Sequence, residues 1–189
     1  MKLVLASKSP RRREILSMVT SDFEVRVSGA EEIIPLGTSV FDVPACLAKI
    51  KAETVEANED EIIIGCDTVV IHEGKILGKP RDKAEAALML KSFSGKEHYV
   101  VSGLAIKQGE KIYTCSETTT VKMRALSDEE ISVYVERDNP VDKAGAYGIQ
   151  ELAGAFVEGI SGDFYNVVGL PLCKLVTVLK NEFGVNLIK

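Results

Sequence analysis

Few of the residue groupings that usually announce a chemistry are present in this sequence. Its two histidines, His72 and His98, stand apart, and its four cysteines, Cys46, Cys66, Cys115 and Cys173, are widely and irregularly spaced. Without a C-x-x-C pair or a Cys/His cluster, neither a zinc site nor a disulfide frame is expected. The cysteines read as reduced and mostly buried, the histidines as incidental. No run approaches the roughly 18 apolar residues of a membrane span. "MKLVLASKS" is too short and turns polar too soon for a signal peptide. The expected location is therefore the cytoplasm, with no membrane partner. A basic excess is lacking too: 23 Lys and Arg against 28 Asp and Glu give a net charge of −5, which argues against a nucleic-acid partner. Repeats, low-complexity tracts and an obvious linker are missing. The 189 residues, 46% hydrophobic, read as one domain over 1–189, two lobes around a central cleft and large enough to bury a core.

What is present alternates strand and helix. Residues 2–6, "KLVLA", form a short apolar strand leading straight into a helix at Ser9-Pro10, and residues 23–27, "FEVRV", alternate as a second strand. Pro44 opens a helix to about residue 57. "EIIIGCDTVVIHEGKIL" predicts a strand, a polar interruption and a hairpin at Glu73-Gly74. Residues 83–93 are helical, and two strands flank the Gln108-Gly109 turn. Ser127 and Glu130 make a capping box for a further helix. After Pro171, Leu172, Leu175, Val176 and Leu179 mark an amphipathic one. The expected fold class is α/β (mixed α+β), a two-lobed mixed sheet flanked by helices with a cleft between the lobes.

Against the acidic balance, "ASKSPRRREIL" at residues 6–16 stands out. Ser9 suits the N-cap and Pro10 the first helical position. Arg11, Arg12 and Arg13 then crowd the turn where the helix dipole disfavours cations. An anion at that turn reverses the sign, because free backbone N–H groups and bidentate guanidinium groups converge on it. Ser7, Ser9, Arg11 and Arg12 are the candidates for binding it, while Arg13 reads as solvent-facing. No Walker A or G-x-G-x-x-G pattern occurs, so neither a P-loop nor a dinucleotide fingerprint is at hand.

Asp67-Thr68 interrupts "IIIGC" and "VVI". Either a turn or bulge lets Asp67 reach solvent, or Asp67 lies on a cleft floor, activating a water or holding a divalent ion through it. Glu31-Glu32 offers a second carboxylate, or a solvated loop pair. Lys51 and Lys79, the latter in "LGKPRD", read as surface groups when taken singly; with Asp67 they complete a polyphosphate-hydrolysing set. "DKAGAYGIQ" at residues 142–150 allows close backbone approach to a flat ligand, with Tyr147 and Gln150, or forms a tight loop against the core. "GISGDFYNVVGLPL" is another glycine-rich turn, before the last helix.

"ASKSPRRREIL", "GCDTVV", "GKPRD", "DKAGAYGIQ" and "DFYNVVGLPL", in this order, resemble the Maf family of nucleotide pyrophosphatases along essentially the whole chain. The resemblance implies a fold like that of inosine triphosphate pyrophosphatases, usually in a homodimer. It also implies hydrolysis of a nucleoside triphosphate, dependent on a divalent metal cation (Mg²⁺ or Mn²⁺), to monophosphate and pyrophosphate. By motif it assigns phosphate binding to Ser7, Arg11 and Arg12. Glu32, Lys51, Asp67 and Lys79 become the catalytic and metal-associated set, with Asp67 the general base and Glu32 and Asp67 at the metal. Thr68 and Gln150 would fix the nucleotide. "SPRR", "DT" and "AGAYGIQ" match the branch acting on dTTP, UTP and modified pyrimidine triphosphates. Glu151 departs from the glycine usual after "GIQ", beside the supposed base site, and a glycine usual near the end of the first helix is absent from "MVTSDF". The alternative from another class is a non-catalytic nucleotide sensor regulating cell division. The carboxylates favour the enzyme, since a pure polyphosphate binder gains nothing from negative charge beside its ligand except through metal.

Overall fold

A computed structural model describes residues 2–27, 29 and 31–188. Strand β1 (Lys2–Leu5) is followed by helix α1 (Pro10–Ser17), strand β2 (Phe23–Val25) and helix α2 (Val43–Thr54). Strand β3 (Glu61–His72) turns at Glu73 and Gly74, both at positive φ, into β4 (Lys75–Leu77). Helix α3 (Lys83–Phe93) leads to the long hairpin of β5 (Glu97–Gln108) and β6 (Lys111–Met123), and then to helix α4 (Asp128–Asp138). Three short 3₁₀ turns (Pro140–Asp142, Ala144–Ala146, Leu152–Phe156) precede β7 (Val157–Ser161), helix α5 (Phe164–Val168) and helix α6 (Leu172–Phe183). The turns, β7 and α5 carry too little periodicity to be read from sequence. Strand β2 stops short of Val27, and α2 ends three residues before the expected 57. Among the described residues no helix is long and apolar enough to cross a membrane.

The strands form a mixed sheet in the order β2-β1-β3-β5-β6-β7, with β4 also on β3. Strands β2, β1 and β3 are parallel, and the remaining pairings are antiparallel. Strand β1 is nearly wholly apolar, as an inner parallel strand covered on both faces must be. Strand β3 runs unbroken through the polar pair: Asp67 stands opposite Gly103 and Thr68 opposite Ser102, in continuous register with β5. The turn or bulge that would carry Asp67 to solvent does not form.

Side chains alternate across the sheet. On one face Leu5, Ile62, Ile64, Leu104 and Ile106 pack with Ile15, Leu16, Leu175 and Leu179 of α1 and α6. Farther along, Val70, Val100 and Val121 pack with Leu90, Phe93, Ile131 and Tyr134 of α3 and α4. The opposite face receives α2 through Val4, Ile63, Ala105, Ala48 and Ala52. Two glycines let α2 sit unusually close. A Cβ on Gly65 would lie 2.2 Å from the Ala48 carbonyl oxygen, and one on Gly103 would lie 2.2 Å from the carbonyl of Pro44. Backbone cannot yield as a side chain can. Gly65→Ala should therefore lower stability by about 3 kcal/mol, or roughly 10 °C in Tm, read by thermal unfolding.

Candidate functional site

The site begins where the sheet loses a neighbour. Strand β1 pairs with β3 as far as Ile64, its last bond running from the Ala6 N–H to the Ile64 carbonyl at 2.9 Å. Strand β4 pairs with β3 from Val70 onward. Among the described residues, 65–69 have no strand partner on that edge, and a cleft of about 630 Å³ opens there. All ten candidate residues line it: Ser7, Ser9, Arg11, Arg12, Glu32, Lys51, Asp67, Thr68, Lys79 and Gln150.

Asp67 faces α2. The close seating of that helix brings Lys51 into an ion pair with the Asp67 carboxylate at Oδ1, and the same ammonium lies 3.1 Å from Glu32 Oε1. Both side chains of the first pair are mostly buried, so neither charge would be tolerated alone. Asp67 Oδ2 accepts no hydrogen bond among the described residues. Glu31 is exposed and stays outside the cleft.

The three arginines separate by role. Arg13 is exposed and does not line the cleft, as its position predicts. Arg11 is half-buried on the cleft wall. Arg12 turns inward and fills the gap in the sheet. Its Nε donates to the Gly169 carbonyl at 2.9 Å, and its Nη1 to the Cys66 carbonyl at 2.8 Å and to Ser7 Oγ at 3.1 Å. Its Nη2 donates to Thr68 Oγ1 at 3.2 Å. With those donors spent on the protein, Arg12 is chiefly a brace between β3, the turn before α1 and the turn before α6. Ser9 caps α1, its Oγ accepting from the Arg12 N–H at 3.4 Å. Ser7 Oγ accepts from Ser9 N–H and from Arg12, which leaves the Ser7 hydroxyl proton free to be donated.

Thr68 is fixed from behind by a buried polar chain. Its Oγ1 is 2.7 Å from Ser102 Oγ and 3.2 Å from the Gly169 carbonyl. Asn166 of α5 donates to the Val100 carbonyl at 2.9 Å and to Thr119 Oγ1 at 3.0 Å. The glycine-rich turn before α6 thus supports the cleft from outside its polar wall.

Lys79 is exposed at the cleft. The preceding Gly78 carbonyl accepts from Gly145 N–H at 3.1 Å, tying the "GKP" bend to the "DKAGAYGIQ" loop. That loop serves both ends considered for it. Gly145 presses on Val70, where a Cβ would meet the valine at 3.0 Å, while Tyr147, Gly148 and Gln150 line the cleft. Tyr147 is backed by His98, whose Nε2 is 2.7 Å from the tyrosine oxygen. Burial pulls the His98 pKa down to about 3, so this imidazole is neutral, and neither histidine lines the cleft.

Two lysines of the site escape a reading by residue type. Lys8 lines the cleft from the turn before α1, and Lys143 lies buried in its wall. Lysine is ordinarily an exposed residue, so its burial leaves no local mark. Burial works against the Asp142 charge, but the hydrogen bond from Lys143 keeps that carboxyl below its usual pKa. Among the described residues Lys8, Arg11 and Lys79 form no ion pair, although the chain is acidic. Unpaired cations converging on one cleft are arranged for a polyanion.

Residues 2–182 match the family model described as Maf-like protein. The chain belongs to the Maf family. Among similar Maf proteins, the dTTP/UTP pyrophosphatase of Clostridium novyi (strain NT) is 48% identical over 99% of this chain and 100% of its own. The dTTP/UTP pyrophosphatase of Bacillus cytotoxicus is 48% identical over 95% and 94%. A fainter likeness, too slight to build on, is to the solved Staphylococcus aureus Ham1 protein, 14% identical with a TM-score of 0.46 over 65% of this chain and 72% of that one.

The division of labour within this Maf site can be tested at its arginines. Arg12→Lys removes the fork that spans the sheet gap and should cost about 2 kcal/mol in denaturant unfolding together with activity. Arg11→Lys should leave unfolding nearly unchanged and weaken only nucleotide binding.

Proposed function

We propose that this chain hydrolyses dTTP, UTP and modified pyrimidine triphosphates to the nucleoside monophosphate and pyrophosphate. The observation that carries the reading is the Asp67–Lys51–Glu32 constellation, set in a cleft on which Lys8, Arg11 and Lys79 also stand, the last three with no ion pair among the described residues. The names of the two dTTP/UTP pyrophosphatase relatives support the substrate class.

In this reading Arg11, Lys8 and Lys79 neutralise the triphosphate, and Ser7 donates its free hydroxyl proton to a phosphate oxygen. Lys51 holds Asp67 in place through Oδ1. The open Oδ2 accepts the proton of a water that attacks a phosphorus, and pyrophosphate leaves. Thr68, immobilised by Ser102 and Gly169, and Gln150 fix the nucleotide.

Among the described residues no group of three or more His, Cys, Asp or Glu stands together as a metal site. Glu32 and Asp67 nevertheless reach a common cation, the Lys51 ammonium. Two carboxylates facing a triphosphate fit Mg²⁺ or Mn²⁺, which is commonly held by one or two carboxylates, phosphate oxygens and water. Such an ion, held by Asp67 and Glu32, would supply charge neutralisation at the phosphates.

The test is to incubate the purified protein with Mg²⁺ or Mn²⁺ and a panel of triphosphates, measuring pyrophosphate and orthophosphate separately. Pyrophosphate should form from dTTP and UTP, and Asp67→Asn should lower kcat by about 10²–10⁴-fold. Chelation should abolish turnover and either ion restore it. Orthophosphate as the primary product would overturn the reading.

A further inference from the structure

The loop that presents Gln150 is closed on itself by an ion pair between Lys143 and Glu151. Lys143 is buried, its side chain 9% exposed. Its ammonium lies 3.0 Å from Asp142 Oδ1 and 3.2 Å from Glu151 Oε2. The pair passes over Gly148, where a Cβ would stand 3.0 Å from Glu151 Oε2 and 3.2 Å from Lys143 Cε. Between the partners the backbone takes left-handed turns at Gly145 (φ 70°) and Ala146 (φ 61°). Beyond them, Glu151 N–H donates to the Gly148 carbonyl at 3.0 Å. Gln150 is the residue next to the anchor, and its own side chain is exposed on the cleft wall.

We propose that Glu151 is a positioning residue for base selection: by holding the buried Lys143 ammonium, it fixes the loop segment that carries Gln150. The inference rests on the nucleotide-hydrolysing reading of the cleft. A primary amide offers a donor on one side and an acceptor on the other, so its aim decides which base edges it satisfies. A site built around such an amide discriminates strongly only if the amide is held, because a mobile one turns to suit the wrong base. Glu151 shares no contact with Asp67, Lys51 or Glu32, so its effect falls on the base and not on the phosphorus. Without Glu151 the Lys143 charge is still compensated by Asp142, and the loop keeps its backbone bond to Gly78. Removing the glutamate therefore loosens one anchor and does not unfold the loop.

Steady-state kinetics with UTP, dTTP, CTP, ATP and GTP test this on the whole protein. Glu151→Ala should lower the kcat/KM preference for UTP over CTP by about tenfold, the size of one positioned hydrogen bond, and act through KM more than through kcat. Lys143→Met, which also frees Asp142, should lose at least as much, and the double variant no more than Lys143→Met, since the tie to Glu151 is already cut there. Glu151→Gln keeps an oxygen acceptor for Lys143 and should recover most of the preference. An unchanged preference in Glu151→Ala, or an equal fall in kcat for every nucleotide, overturns the proposal. If Lys143→Met fails to fold, the two Glu151 variants decide alone. If the unaltered protein turns over none of the panel, the hydrolytic reading is the one that fails. The same preference is then read from Kd values for UTP and CTP by calorimetry, and the loop inference stands or falls on their ratio.

Discussion

Everything at this site depends on how closely one helix can approach the sheet. A carboxylate in the middle of an inner strand is expensive to bury, and Asp67 has no turn or bulge to carry it to solvent. Lys51 makes its position tolerable, and Lys51 arrives only because Gly65 and Gly103 offer no side chains beneath α2. The packing of small residues, usually a matter of stability, here sets the position of the Asp67 carboxylate and its lysine. Ala48 and Ala52 continue the same close contact along the helix.

The second constraint is an interrupted sheet edge. Strand β1 departs after Ala6 and β4 joins only at Val70, so the backbone between them needs other partners. Arg12 provides one, with a guanidinium that takes the Cys66 and Gly169 carbonyls together. The gap is also why Asp67 and Thr68, adjacent residues whose side chains point to opposite faces of the sheet, serve one cleft. Three arginines on one helical turn are then no electrostatic accident. One points to solvent, one braces the gap, and one remains with Lys8 and Lys79 as a cation facing the cleft.

Much of the fold was legible because its signals are local. The Ser9-Pro10 start of α1, the Ser127–Glu130 capping box, the Glu73-Gly74 turn and the stripe of α6 all rest on residues within a few positions of one another. The 3₁₀ turns, β7 and α5 were not legible, since they are held by distant partners such as Thr119 with Asp163 and Asn166 with Val100. Some candidate site residues were legible as types out of place, arginines at a positive dipole end and an aspartate in an apolar run; Glu32, Lys51 and Lys79, ordinary taken singly, were legible only in company. Their geometry was not.

By itself the sequence determined which residues would meet: four of the five motifs carry eight of the ten candidate side chains, Glu32 and Lys51 lie between motifs, and all ten stand on the wall of one cleft. Only the tertiary structure decided what each does there. It tied the Arg12 guanidinium to Gly169, Cys66, Ser7 and Thr68 across the gap in the sheet. It also buried Lys143, which lies within "DKAGAYGIQ" but whose burial nothing in that pattern marks. The reason is physical: a residue's chemical type is written in its own side chain, whereas its role depends on which donors and charges remain unspent once the rest of the chain has packed around it.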